Sequence, residues 1–316
     1  MNLDMDETIR WLLRDADPAL EYQVRRDLLS EPAAELERLR RQIPSRGWAK
    51  ALLDERKAGG HWGGGVYSPK WTCTHYVLYE LTQLAAPGDL EACRESAMML
   101  LSYPRGLDGG INYAKTVEFS DVCVNGMILT IAGYFGIGSE AVKEIIDYLL
   151  RVRMADGGWN CEYFHGARHS SLHTTISVIE GLGTCLRGGD ERRKSEVEAA
   201  IAGGVEFILR HRLCRSERSG EVIKDEFYKF SFPVRWKYDI LRCLDLFDTF
   251  DIPFDGRMGE ALDVVLKAGG KNGRWKAASQ AGKTYFVVER NGAEGKWNTL
   301  RALRVLRHFS VHFPEK

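Results

Sequence analysis

The chain has 316 residues, 44 basic and 44 acidic side chains, 44% hydrophobic residues and a pI near 7.1. This is the composition of a globular protein with a large core, and it excludes disorder and a collagen-like fibre. A net charge of zero gives no broad positive field for nucleic acid or an anionic bilayer, and no apolar run approaches the ~20 residues that span a membrane.

The opening segment, MNLDMDETIRWLLRDADP, carries acids where a secretory signal needs a basic and then an apolar region. Seven cysteines lie far apart without a C-x-x-C pair, and their odd number argues for reduced thiols. The compartment these features imply is the cytoplasm. Asp17 before Pro18 reads as a helix start, and Ser30 with Pro32 opens another helix. Residues 1–58 are therefore expected to form a helical N-terminal extension covering one edge of the remaining chain.

From residue 59 the informative feature is glycine, 32 residues in all, arranged in clusters that recur. Clusters begin at Gly59, Asp108 and Asp156, and each joins a glycine turn to an aromatic-bearing loop and then an apolar helix. Equating Gly60, Gly110 and Gly158 gives a step of about 50 residues, enough for two helices and their connections. Second helices are equally legible: Ser139 caps EAVKEIIDYLLRVR, and Val197, Ile201, Val205 and Ile208 form a stripe between about Glu191 and Arg210. Two weaker units come after them, built on FPVRWKYDILRCLDLF and on NGRWKAASQ to RVLRHF. The clearest period-two run is YFVVER at Tyr285, so a large sheet is not expected and the fold is all-α.

These glycine-plus-aromatic turns, Gly63-Gly64, Gly109-Gly110 and Gly157-Gly158-Trp159, resemble the repeat of the α/α-toroid superfamily of squalene and hopene cyclases and protein prenyltransferase β subunits. The resemblance spans roughly residues 59–309. It implies that residues 59–316 close into a ring of helical hairpins, with the starts of the inner helices at one mouth of a central cavity. The cyclase branch protonates its substrate with an Asp-x-Asp-Asp motif, which this sequence lacks. The prenyltransferase branch binds zinc through an Asp-x-Cys and a His one repeat later. Asp121-Val122-Cys123 and His173 correspond to these, with Asp121 and His173 aligned at the same repeat position. Aspartate, cysteine and histidine also suit Zn²⁺ on chemical grounds, with a fourth position left open.

The same resemblance implies that the zinc presents a thiol-bearing substrate to an isoprenoid or other alkyl electrophile. Lys115, Arg168 and His169 are the candidate catalytic groups at the mouth. Trp71, Tyr113, Phe164, Tyr228, Arg235, Trp236, Tyr238, Asp239, Tyr285 and Trp297 are the candidate substrate-binding residues. Glu289, Arg290, Asn298 and Arg301 are further polar candidates, whereas Arg304 and Arg307 read as the solvated face of the last helix. His165 and His169 fall before the helix that His173 opens, because Gly166 and Ser170-Ser171 are loop and cap chemistry. The alternative to a zinc-dependent prenyltransferase-like enzyme is a non-catalytic toroid that binds a hydrophobic ligand, peptide or partner protein. It is favoured by the absence of a second subunit from residues 1–58, which are too short to replace one.

Overall fold

The computed structural model describes residues 5–114, 116–189, 193–278 and 282–309. In chain order the helices are α1 (Met5–Leu13), α2 (Pro18–Asp27), α3 (Ala33–Arg40), α4 (Gly47–Asp54), α5 (Thr74–Gln83), α6 (Glu91–Leu101) and α7 (Val122–Tyr134). Next come α8 (Glu140–Arg151), α9 (Leu172–Arg187), α10 (Lys194–Arg210), α11 (Ile240–Thr249), α12 (Gly259–Ala268) and α13 (Lys296–His308). Pairing of extended backbone among the described residues is confined to isolated bridges such as Arg105 with Ile111. No helix there is long and apolar enough to cross a membrane. The chain is all-α, as the periodicity predicts.

Local chemistry explains the starts. Asp17 accepts from the Ala19 N–H, Ser139 from the Val142 N–H and Asp239 from the Arg242 N–H, each satisfying a first-turn donor. Burial then sorts the helices into two layers. Every residue of α7 from Val124 to Ala132 is buried, as an inner helix requires, whereas α8 buries one stripe through Val142, Ile145, Ile146 and Leu149. Each such Leu or Ile contributes roughly 1.5–3 kcal/mol on burial.

The inner layer is a closed ring of α2, α5, α7, α9, α11 and α13. Gln23 of α2 donates to the Gln83 carbonyl of α5 at 2.8 Å, and α5 packs on α7 and α7 on α9. Arg242 of α11 meets Glu180 of α9 at 3.0 Å, and Arg301 of α13 meets Asp245 of α11 at 3.0 Å. Arg304 of α13 returns to Asp27 of α2 at 2.8 Å. The closest packing is between α7 and α9, where a Cβ on Gly126 would come within 2.5 Å of the Ser177 carbonyl oxygen.

Helix α2, expected as part of an N-terminal extension over residues 1–58, is thus one of the six inner helices of the ring. Without α2, the acidic partner Asp27 is missing and α13 has no neighbour to close on. The solvated-face reading of Arg304 fails for the same reason: its guanidinium pairs with Asp27, Asp245 and Asp248 in the interior. Arg307 does stay at the surface, donating to the Leu28 carbonyl.

The repeat unit is held by one recurring set of bonds. Gly60, Gly109, Gly157 and Gly273 all have positive φ, between 68° and 100°, which glycine adopts without steric cost. Two residues later come Trp62, Ile111, Trp159 and Trp275. The three indole N–H groups donate back to the outer helix before them, at Leu52, Leu149 and Val265. Their backbone N–H groups donate forward to the hydroxyls of Thr74, Thr175 and Thr299 on the next inner helix. In the second unit Asn125 plays the threonine's part for Ile111. Gly60 is therefore equivalent to Gly109 and Gly157, one residue away from the alignment with Gly110 and Gly158. The YFVVER run forms no strand: the Tyr285 hydroxyl is tied to the Thr72 carbonyl and Gly63 N–H, and Glu289 accepts from the first N–H groups of α13.

Candidate functional site

The inner-helix N-termini are where the sequence places a metal. Asp121 is the N-cap residue of α7 and Ser171 that of α9. Because Asn125 and Thr175 occupy matching positions, Asp121 pairs with Ser171 and Cys123 with His173. The expected register of Asp121 against His173 is off by two residues. The His173 Nδ1 accepts a hydrogen bond from the Tyr238 backbone N–H at 2.8 Å. Its proton must then sit on Nε2, so neither nitrogen offers a lone pair to a metal. A metal-bound histidine has the reverse polarity, donating its other N–H to an acceptor. Burial lowers the His173 pKa to about 4, aided by Lys224, Arg242 and Lys237, which keeps the ring neutral.

Cys123 is likewise engaged. Its thiol donates to Cys161, which raises its pKa and lowers that of Cys161. Cys161 Sγ also accepts from the Cys123 backbone N–H at 3.4 Å and the Thr174 hydroxyl at 3.5 Å. Burial raises the Asp121 pKa. Among the described residues no group of three or more His, Cys, Asp or Glu side chains could hold a metal ion. Asp121, Cys123 and His173 therefore do not fit zinc.

The remaining predicted residues divide into separate places. Trp71, Tyr113, Trp236 and Tyr238 belong to an aromatic layer that fills the N-terminal end of the ring. There the Arg235 guanidinium lies 4.2 Å over the Trp71 ring, and Trp236 packs on His173. Tyr113 packs tilted against Tyr67 and edge-on against Tyr103, and the Tyr238 hydroxyl donates to the Leu213 carbonyl. His75, fully buried, stands edge-on to Tyr67, Tyr76 and Tyr113, and burial lowers its pKa to about 3. Asp239 is spent as the α11 cap, and Tyr285 as a turn clasp. Tyr228 donates to Cys214 Sγ at 3.7 Å. Phe164 stacks on Phe119, and Arg168 lies beside that pair on an outer surface groove of about 660 Å³. His169 is exposed, with its carbonyl accepting from Asn160. Lys115 lies outside the described residues.

The central cavity is at the opposite end. It has a volume of about 280 Å³ and is lined by residues of all six inner helices, from Arg242 in the first turn of α11 and Trp297 in the first turn of α13 to the last turns at Tyr134, Thr184 and Thr249. Of the substrate-binding candidates only Trp297 lines it. Its apolar wall is Phe232, Val234, Leu246, Phe250 and the Trp297 ring, which stacks on Phe232 at 4.2 Å between centroids. Thr82, Thr130, Gln23, Gln83 and Tyr22 supply neutral polar groups.

Charge in this cavity is concentrated and mostly paired. Arg26, Arg40, Arg242, Arg301, Arg304, Glu180 and Asp245 all line it; Glu180 pairs with Arg242 and Asp245 with Arg301 and Arg304, while Asp27 pairs with Arg26 and Arg304 and Asp248 with Arg304. The floor is a cluster in which Arg242 meets Glu180, the Tyr79 hydroxyl and Ser177, while the Tyr79 hydroxyl donates to Glu180 at 2.6 Å. Two donors are left over. Arg301 Nη2 and Trp297 Nε1 are buried with no hydrogen-bond partner, on side chains only 4% and 1% exposed. Sequence reasoning named Arg301 and Trp297 but missed Arg26, Arg40, Glu180, Arg242 and Asp245. The available signal was a charged residue within an apolar inner-helix run, as in ISVIEGLG and DILRCLDLF.

No family model matches the chain, and no curated protein matches it. Among solved structures, a protein from Actinoplanes aligns over 98% of this chain and all of its own, with a TM-score of 0.49 and 15% identity. The type II terpene cyclase MstE from Scytonema aligns over 92% of this chain and 87% of its own, with a TM-score of 0.41 and 17% identity. At such scores the α/α ring stands on this chain's own contacts, and no substrate is carried across.

Proposed function

We propose that this toroid is a small-molecule protein that holds a compact hydrophobic ligand, of the isoprenoid class, in its central cavity. One observation supports the reading above others: six inner helices converge on a 280 Å³ space whose wall combines aromatic and branched aliphatic side chains with a set of polar groups. Small-molecule sites usually measure roughly 300–1,000 Å³ and have this mixture of wall chemistry. The volume suits a short ligand and is too small for a folded partner or a long peptide. Of the two readings the sequence supports, the binding toroid is the one this geometry favours. Zinc-held thiol transfer is not carried forward, because His173 and Cys123 are committed to other bonds.

The test is calorimetric titration with geraniol, a ten-carbon isoprenoid alcohol, against the wild type and Thr130→Trp. Thr130 lines the cavity and is 5% exposed, so the indole would occupy the ligand's place. Saturable binding that disappears in Thr130→Trp, with its melting transition retained, supports the reading. Absence of binding, or equal binding by the blocked variant, refutes it.

A further inference from the structure

We infer that the cavity selects a monoanionic head group, a carboxylate on an apolar body, and that Arg301 and Trp297 form its clasp. This rests on the central cavity being the ligand site. A buried donor without an acceptor costs roughly 1–3 kcal/mol, and here two occur one helical turn apart on α13, on residues that line the same space. Residues at i and i+4 share a helix face, so an acceptor group lying along that face reaches both.

The rest of the arginine set explains why one negative charge fits and several do not. Arg301 already spends Nε on Asp245 and Nη1 on the Ser231 carbonyl, which leaves a single nitrogen for a ligand. Arg304 is saturated by three carboxylates, and Arg242 is held by Glu180 and Tyr79. Arg40 donates to the Ala85 and Ala86 carbonyls and the Tyr134 hydroxyl. Asp239, which caps α11, adds attraction for Arg301 and Arg242 from the filled side of the ring. Arg26 pairs with Asp27, so five arginines stand against four carboxylates and leave about one positive charge, while the buried donors without a partner are one guanidinium nitrogen and one indole N–H. Two oxygens of a carboxylate match these two donors. A diphosphate would bring more negative charge than the remaining donors can neutralise, next to Glu180 and Asp245. With Trp297 stacked on Phe232, the ligand's apolar body has a flat aromatic surface directly beside the head group.

The experiment compares geranic acid, geraniol and geranyl diphosphate, which share one carbon skeleton, by calorimetry on the full chain at neutral pH. Charge-assisted bonds to two buried donors predict that geranic acid binds at least about tenfold more tightly than geraniol. Trp297→Phe keeps the ring stack and removes the N–H, and Arg301→Lys keeps the charge and removes the fork. Each should cut the acid-to-alcohol ratio several-fold. A ratio near one in the wild type, tightest binding by the diphosphate, or a ratio unmoved in Trp297→Phe overturns the inference while leaving the cavity as a ligand site. Failure of all three compounds to bind removes both.

Discussion

His75 offers a direct test of how the filled end of the ring is built. Its imidazole is fully buried among Tyr67, Tyr76 and Tyr113, neither nitrogen has a hydrogen-bond partner, and burial lowers its pKa from 6.5 to about 3. A group whose folded pKa is depressed gives up stability as pH falls below its unfolded value, because only the unfolded chain takes up the proton. Between about pH 8 and pH 5 the loss from His75 is about 2 kcal/mol, at about 1.4 kcal/mol per unit of separation. His173 acts in the same sense. Glu80 and Asp248, whose carboxyls burial raises to about 7 and about 6, act in the opposite sense over much of this range. The wild-type profile alone is therefore flattened, and the informative quantity is the difference from His75→Phe, which preserves an aromatic ring in the cluster. Urea denaturation at a series of pH values should show the variant as stable as the wild type or more so near pH 8. Its advantage should then grow by about 2 kcal/mol by pH 5. Parallel profiles for the two proteins would mean that the imidazole is hydrated or partnered, and that burial does not hold it neutral.

The packing and the helix termini give three further outcomes. Gly126→Ala should destabilise by about 2–3 kcal/mol or more, measured by denaturant midpoint, because the added methyl meets the Ser177 carbonyl of α9 and backbone cannot yield as a side chain can. Among the seven thiols Cys161 should alkylate fastest with iodoacetamide, since its sulfur accepts bonds from Cys123 and Thr174 that favour the thiolate; peptide mapping showing Cys123 first would reverse that assignment. Protein purified without chelator should contain far less than one equivalent of zinc by elemental analysis, and a full equivalent lost in both Asp121→Ala and His173→Ala would reinstate the metal.

The architecture was readable because it is written locally and repeatedly. A left-handed glycine two residues before a tryptophan is a turn that no other residue makes as easily, and the chain repeats it. The hairpin beginning at Ser139 was likewise given by its cap and its stripe. Register was harder: consecutive glycines at 109–110 and 157–158 offer two alignments, and the bonds that the Trp159 and Ile111 N–H groups donate to Thr175 and Asn125 choose between them. The part played by α2 was hidden because its turn lacks glycine, so closure depends on Asp27 meeting Arg304 from the far end of the sequence. The metal-ligand expectation fails the fit to the structure for a related reason. Asp, Cys and His at helix starts are equally suited to capping, thiol pairing and accepting a backbone N–H, and which of these wins is decided by neighbours such as Tyr238 and Cys161. Arg242 and Asp245 look like ordinary surface charges until the ring places them inward.

The joining of α13 to α2 has a bearing on biosynthesis. As the chain leaves the ribosome, five of the six staves of this barrel can assemble while Arg26, Arg242 and Asp245 still face an open side. The chamber comes into being only when the last stave, carrying Arg301 and Trp297, docks against the first. A nicked product lacking α13 would keep most of its helices yet leave the cavity open on the side between α11 and α2.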